Sequence, residues 1–284
     1  MRLILTGGTG LIGSATLRAL LDAGHEVVAA VRSQGSADEV AAAGAEPLLG
    51  DITDVDWFTE QLRGVDGAIH LATDNQGPGM DEAVTAAVLA AFEGTDKPYV
   101  HTGGAWVWGD GDEISEDDRQ DPPAITAWRA VPERAVLDST VRATLVAPGI
   151  VYGPGGEGIA SMLSGGPRDD DGALVLIGSG GQHWTTIATT DLGRLYVLAL
   201  ERSTGGTYIA VSGQNPTVRE LGEAVVGPDG AVVPGSDEEA AERLGEGLAG
   251  ALLLDHQASG EKARTALGWK PTARSLVDEL AAVS

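Results

Sequence analysis

The stretch "RLILTGGTGLIGSATLRALLDAG" constrains this chain more than any other: a short apolar strand runs into closely spaced glycines and then into an amphipathic helical pattern. Gly7, Gly10 and Gly13 stand in a Gly-x-x-Gly-x-x-Gly spacing between strand and helix. Glycine lets such a turn close and lets backbone amides approach a pyrophosphate, which then rests at the positive end of the helix. The alternative for the same residues is a tight turn that is structural only. Apolar Leu11, Ile12, Ala15, Leu17, Leu20 and Leu21 lie at helical spacing, which supports the nucleotide reading.

The alternation continues downstream. "EVVAAV", "SADEVAAAG", "EPLLG", "VDWFTEQLR", "DGAIHLA", "MDEAVTAAVLAAFEG" and "KPYVHTG" take turns as strand and helix. Such turns predict βαβ units around a parallel sheet with right-handed crossovers. "VRATLVAPGIVYGP" supplies a further strand that ends at the sheet's carboxyl edge, where ligands bind in this architecture. Beyond residue 153 the alternation loosens into Gly-rich joints and small helices around "TVRELGEAVV", "SDEEAAERLG" and "RSLVDELAAV". The expectation is an α/β fold: a Rossmann-type doubly wound parallel sheet with a smaller interleaved C-terminal substrate lobe. Residues 1–152, with 186–212 returning to them, form the dinucleotide-binding domain, and 153–185 with 213–284 form the substrate lobe.

Nucleotide choice is decided at the end of the second strand. An NAD site presents a carboxylate there to the ribose hydroxyls, whereas a 2′-phosphate calls for an Arg. The sequence "EVVAAVRSQGS" ends on Arg32, with Ser33 and Ser36 beside it and no acid. NADP(H) is therefore expected, with NAD less favoured; the opposing reading has Arg32 facing solvent or stacking on adenine.

Charge narrows the partners. Forty-two acids against 18 bases give a formal charge of −24, which repels nucleic acid and anionic membranes. The acidic runs "GDGDEISEDDRQD" (109–121) and "RDDD" (168–171) are expected to be solvated loops, since neither has a calcium-loop spacing. No metal is expected. With no Cys, no disulfide or thiolate chemistry is available, and with neither a secretory leader pattern nor a spanning apolar run the expected location is cytoplasmic. The expected partners are a small-molecule substrate and, optionally, a second copy in a homodimer.

Taken together, "TGGTGLIG", "LLGDITD", "AIHLAT", "HTGGAWVWGD", "VAPGIVYGPGG", "TTIATTDLGRLYVLALE" and "GEKARTALGWKPT" make the chain similar to the extended short-chain dehydrogenase/reductases, which include the NAD-dependent epimerase/dehydratases. The resemblance spans nearly the whole length. It implies that Gly7, Thr9, Gly10, Leu11, Ile12 and Gly13 hold the pyrophosphate, with Arg32 and Ser33 at the first ribose. It further implies Asp51 and Ile52 at the adenine, Leu71, Ala72 and Thr73 near the second ribose, and Thr102 with the Pro148, Gly149 and Ile150 backbone near the nicotinamide.

One part of the family's pattern is missing. Members usually carry a Tyr-x-x-x-Lys pair, the Tyr moving a proton and the Lys lowering its pKa, with a Ser or Thr orienting the carbonyl. Four residues beyond Tyr99, Tyr152, Tyr196 and Tyr208 lie Gly103, Gly156, Leu200 and Ser212, so the pair is absent from this chain. In "AITAWRAVPERAVL" Trp128 and Pro132 take the two places, and Gly104 takes the Ser place, leaving Thr102 nearby. Pro132 requires the helix to begin near residue 131 or to kink.

Arg129 and Glu133, four apart, share a rotated face. One reading makes Trp128 a core aromatic and Arg129 with Glu133 an exposed ion pair. The other has Trp128 wall the nicotinamide pocket while Arg129 and Glu133 position a polar substrate or supply the proton. Tyr152 and Thr102 are further candidates. His101 and His183 are expected to be structural, and Asp191 to cap the helix "DLGRLYVLAL". The leading function is an NADP(H)-dependent oxidoreductase or epimerase-like enzyme on a small-molecule carbonyl or alcohol, with a non-standard proton donor. A non-redox lyase, isomerase or cyclase and a nucleotide-binding sensor without catalysis remain open.

Overall fold

The computed structural model describes residues 1–73 and 77–284. Seven parallel strands form its main sheet: β1 (Arg2–Thr6), β2 (Glu26–Val31), β3 (Glu46–Leu49), β4 (Gly67–His70), β5 (Pro98–Thr102), β6 (Arg142–Pro148) and β7 (Gly206–Ala210). Their spatial order is β7-β6-β5-β4-β1-β2-β3. The chain winds outward from β1 in both directions, so the crevice between β1 and β4 is a topological switch point.

Period-two alternation along each strand feeds two helical layers. Leu3, Leu5, Val27, Ala29 and Val31 face helices α1 (Leu11–Asp22) and α2 (Gln34–Ala42). Ile4, Val28, Ala30 and Tyr99 face α3 (Val55–Arg63), α4 (Gly79–Phe92) and α5 (Ala130–Leu137). Burying each large aliphatic chain stabilises the fold by about 1.5–3 kcal/mol. The first layer is completed by α6 (Thr189–Arg202), whose Gly193 lies so close to α1 that a Cβ there would be 2.8 Å from the Ala15 carbonyl.

The remaining segments interleave with this frame. Strand Ile150–Tyr152 leaves the main sheet and pairs with Thr186–Ala188, which leads straight into α6. Helices Val218–Val226, Asp237–Leu244, Glu246–Leu252 and Leu276–Ala281 enclose a separate core around Ile150, Tyr152, Leu176 and Trp184.

Two sequence expectations are corrected here. The acidic run 109–121 is not all loop: Gly111–Ile114 pairs in parallel with His256–Ala258, because Ile114 and Trp108 supply an apolar anchor beneath the charges. Asp191 does not cap α6, which begins two residues earlier at Thr189 with Ala188 as its cap. Its buried carboxylate instead accepts the Thr272 and Ala273 amides at 2.9 Å each, and pairs with Arg194, tying the C-terminal segment to the frame.

Candidate functional site

A cleft of about 400 Å³ opens at the carboxyl ends of β1, β2 and β4. Its walls include Gly7, Thr9, Gly10, Arg32, Ser33, Ile52, Leu71, Ala72 and Thr73, gathered from four separate parts of the sequence. Gly8, Ser36, Gly50 and Met80 also line it.

The glycines divide their work. Gly7 has φ +72° and lies against the Leu71–Ala72 backbone, where a Cβ would come within 2.7 Å of the Ala72 nitrogen. At Gly13 a Cβ would be 1.9 Å from the Gly7 carbonyl oxygen, so this residue lets helix and loop close up. Gly10 differs: a Cβ there would meet only that same oxygen, at 3.4 Å. Gly10 thus contributes bare surface to the cleft. The first turn of α1 carries no acid, and its free amides and positive end face an approaching anion. This donor set fits the pyrophosphate of a dinucleotide.

At the far end of the cleft Arg32 is exposed and makes no hydrogen bond among the described residues. Ser33 caps α2, its hydroxyl accepting the Ser36 amide at 3.2 Å, and the first turn of α2 also lacks acids. A cation, two hydroxyls and a helix N-terminus therefore surround one point. Asp51 is turned away from it: its carboxylate accepts the Thr53 hydroxyl at 2.7 Å and the Thr53 amide at 2.9 Å. Those two bonds, and then the charge of Arg32, hold Asp51 below the ordinary carboxylate range.

Other residues named from the sequence lie outside the cleft walls. Leu11 packs against the Gly153 and Gly158 turn, and Ile12 joins the core. Pro148 ends β6, and Gly149 fits closely under the Thr185 carbonyl, where a Cβ would be 2.6 Å away. Ile150 donates its amide to that carbonyl at 2.8 Å. Thr102 donates its hydroxyl hydrogen to the His70 carbonyl at 2.6 Å and lies 2.8 Å from the Tyr196 hydroxyl. With the Thr102 hydrogen committed, Tyr196 is the donor of that second bond. The Tyr196 phenol is raised above its ordinary range by burial, against the opposing effects of the Thr102 bond and Arg129. Tyr152 points into the C-terminal lobe and donates to the Arg274 carbonyl at 2.7 Å; burial, then Asp191, Glu279 and Asp278, raise its phenol.

The segment that departs from the Tyr and Lys pattern folds as a short 3-10 turn, Ala127–Arg129, followed directly by α5. Pro132 sits in the first turn of α5, where a missing amide hydrogen costs nothing. Trp128 is half-buried and not a core aromatic; its indole N–H donates to the Ile125 carbonyl at 3.0 Å. The Arg129 guanidinium lies 4.6 Å above the Trp128 ring and donates to the Thr102 carbonyl at 3.2 Å. Its Nε is 3.9 Å from where a Gly104 Cβ would stand. Arg129 is therefore held over the strand end where a side chain is missing.

Glu133 is 4% exposed, which rules out the exposed ion pair. The Glu133 carboxyl lies over Gly103, where a Cβ would come within 2.7 Å of Oε1, and this oxygen has no hydrogen-bond partner. Burial lifts its pKa from the ordinary 4.5 to about 7; Arg129 opposes the rise and Asp81 adds to it.

Sequence reading passed over two members of this neighbourhood, His70 and Asp81. His70 and His101 lie at or near the ends of adjacent strands and are paired in register, with ring centroids 5.5 Å apart. Asp81 is the buried one of two adjacent acids, Asp81 and Glu82, in the run "MDEAVTAAVLAAF". "GAIH" and "PYVH" as successive strand ends, with an acid on the core side of the helix between them, was the available signal. His183, by contrast, is partly exposed and bonded to Asp255 at 2.8 Å, far along the chain from β4 and β5.

Comparison with known proteins follows the same lines. A family described as NAD(P)H-binding matches residues 7–172. An uncharacterised protein of Schizosaccharomyces pombe is 34% identical, over 99% of this chain and 98% of its own length. A 2-alkyl-3-oxoalkanoate reductase of Stenotrophomonas maltophilia is 28% identical, over 78% of this chain and 73% of its own. Among solved structures, a Thermus thermophilus UDP-glucose 4-epimerase complexed with NAD superposes with a TM-score of 0.75. It is 21% identical, over 100% of this chain and 98% of that one, a likeness of fold. No helix among the described residues is long and apolar enough to cross a membrane.

Proposed function

We propose, because this chain belongs to the NAD(P)H-binding family within the extended short-chain dehydrogenase/reductases, that it is an NADP(H)-dependent oxidoreductase acting on a small-molecule carbonyl or the matching alcohol. Arg129 and Glu133 take over the work of the absent Tyr and Lys. The observation that carries this reading is one shared sheet edge: the nucleotide cleft opens beside β1 and β4, and Arg129 and Glu133 cover Thr102 to Gly104 at the end of β5. The reductase and epimerase names of relatives support the class of chemistry.

Gly7 to Gly13 would hold the pyrophosphate, Ile52 the adenine, Arg32 and Ser33 the 2′-phosphate, and Leu71 to Thr73 the second ribose. A bound nicotinamide supplies or takes up the hydride. Arg129, fixed by the Thr102 carbonyl and the Trp128 ring, orients the substrate oxygen with its remaining N–H groups. A guanidinium stays protonated throughout, so it stabilises charge without itself moving a proton. Glu133 is half in its acid form near pH 7 and holds the proton that turns a reduced carbonyl into an alcohol; in reverse it takes that proton back. Thr102 and Tyr196 keep the strand end rigid, and Tyr152 fastens the substrate lobe.

The test is consumption of NADPH absorbance with a panel of aldehydes, ketones and imines. Turnover above a no-protein control is expected; tight NADPH binding with none across a broad panel overturns the oxidoreductase reading. Nucleotide preference follows from Arg32. Arg32→Ala is expected to weaken NADPH binding by about 1.5–3 kcal/mol, the size of a hydrogen bond to a charged group, and to leave NADH unchanged. Calorimetry giving equal affinities for the two nucleotides in the unaltered protein would refute the preference.

A further inference from the structure

Beneath Arg129 and Glu133 lies a polar cluster that the proposed chemistry leaves idle. Asp81 reaches in from α4 with Oδ1 3.6 Å from His101 Nε2 and 3.8 Å from His70 Nε2. Both distances exceed a good hydrogen bond. All three side chains are nearly inaccessible.

The tautomer of His70 can be derived. The Thr6 hydroxyl oxygen accepts the Leu71 and Ala72 amides at 3.1 and 3.2 Å, so its own hydrogen goes to His70 Nδ1, 2.7 Å away. His70 is then neutral with its hydrogen on Nε2, the side facing Asp81. His101 Nδ1 lies 2.9 Å from the Tyr99 hydroxyl, and its Nε2 likewise faces Asp81. Neither Nε2 has a hydrogen-bond partner. Burial, then the Arg129 charge, pushes His70 down to about 3. Burial, His70 and Arg129 push His101 well below its ordinary value too. Both rings are uncharged at neutral pH.

Gly103 follows β5 and extends its pairing, its amide donating to the Val146 carbonyl at 2.8 Å, so it stands two residues on from His101 on the same side, about 6.6 Å away. The Glu133 carboxyl over Gly103 is therefore the next polar group along from His101. Among the described residues, the charged and titratable groups around Glu133 are then Asp81 from α4, His70 from β4, and Tyr99 and His101 from β5, with Arg129 from the preceding turn. Arg142 of β6 points to the Leu200 carbonyl on the other face, and Arg134 of α5 pairs with Asp138 at the surface. Two carboxyl groups thus share one dry region with one cation. If both ionised, two like charges would share that region.

We propose that Asp81 is a positioning residue for the proton of Glu133: Asp81, held between two neutral histidines, carries the negative charge, and Glu133 keeps the proton. This rests on the reading of Glu133 as the acid, and the two can fail separately. Asp81→Asn removes the charge while keeping the shape, leaving Glu133 free to ionise against Arg129.

The direct readout is the infrared band of a protonated carboxyl in substrate-free protein, assigned by its loss in Glu133→Gln. In Asp81→Asn its titration midpoint is expected to fall by about one pH unit, as when a like charge is removed. The pH profile of kcat should fall with it, while KM for NADPH stays unchanged. A folded Asp81→Asn protein with an unmoved midpoint overturns the proposal. Loss of turnover in Glu133→Gln with that unmoved midpoint leaves Glu133 as the acid and removes Asp81 alone. Normal turnover in Glu133→Gln removes the acid role, whatever the midpoint does. If Asp81→Asn does not fold, the unaltered protein decides: an assigned protonated band must persist at about pH 6, well above an ordinary Glu. Its absence there overturns the proposal.

Discussion

Glu133→Gln is expected to lower turnover by 10²-fold or more and, in the same protein, to raise stability at pH 8. The second effect follows from the direction of the shift. In the folded chain the carboxyl holds its proton up to about 7, against 4.5 when free. Burial of the neutral acid is harmless below pH 4.5, where both states are protonated. As pH rises through the interval from 4.5 to 7 the unfolded chain ionises first, and the folded state loses stability until both are ionised. At 1.36 kcal/mol per unit this loss is on the order of 3 kcal/mol. An amide does not ionise, so Glu133→Gln escapes it, less whatever the buried amide hydrogens leave unsatisfied. Denaturant titrations at about pH 4 and 8 should show the gain at the higher pH only. A variant less stable at pH 8 than the unaltered protein would mean that the buried carboxyl is satisfied and not a stored acid. Turnover within twofold would return Tyr152 and Thr102 to consideration as the proton source.

Gly10→Val and Gly13→Val, three residues apart in the same loop, are expected to fail in opposite ways. A Cβ at Gly10 has only the Gly7 oxygen near it, and the residue's φ of −77° is open to any side chain. Gly10→Val should therefore fold with a loss of roughly 1 kcal/mol or less, the scale of a cap change. Its side chain fills the cleft where backbone amides would meet phosphate, and NADPH affinity should drop at least about 10²-fold, near 2.7 kcal/mol. At Gly13 the new Cβ would be 1.9 Å from a backbone oxygen that has no room to yield. Gly13→Val should lose several kcal/mol of stability, on the order expected for severe overpacking, and express poorly. Thermal unfolding with nucleotide titration separates the two. Normal NADPH affinity in folded Gly10→Val would make the loop a structural turn only.

How much of this was legible beforehand differs from residue to residue. The strand and helix periods, the glycine spacing and the Arg32 that ends β2 are local features, and local features survive in a linear string. Gly7, Thr9, Gly10, Arg32, Ser33, Ile52, Leu71, Ala72 and Thr73 were named from it and line one cleft, since parallel strands bring successive carboxyl ends to a single edge. Leu11 and Gly149, named from the same motifs, lie outside the cleft walls, packed against the Gly153 to Gly158 turn and the Thr185 carbonyl.

The sequence alone established that the usual proton-transferring pair is missing, for no tyrosine has a lysine four residues on. It left open whether Arg129 and Glu133 were surface charges or functional groups, since a helical spacing of four is the same in both cases. The tertiary structure excludes the exposed pair, since Glu133 is buried. Arg129 donates to the Thr102 carbonyl, and Glu133 lies buried over Gly103. Asp81, more than 50 residues earlier in the chain, is buried in the same interior, and its charge adds to the rise that burial imposes on Glu133. Burial and the field of distant charges belong to the assembled interior, where removing water changes what a carboxyl group does, and no run of neighbouring residues encodes them.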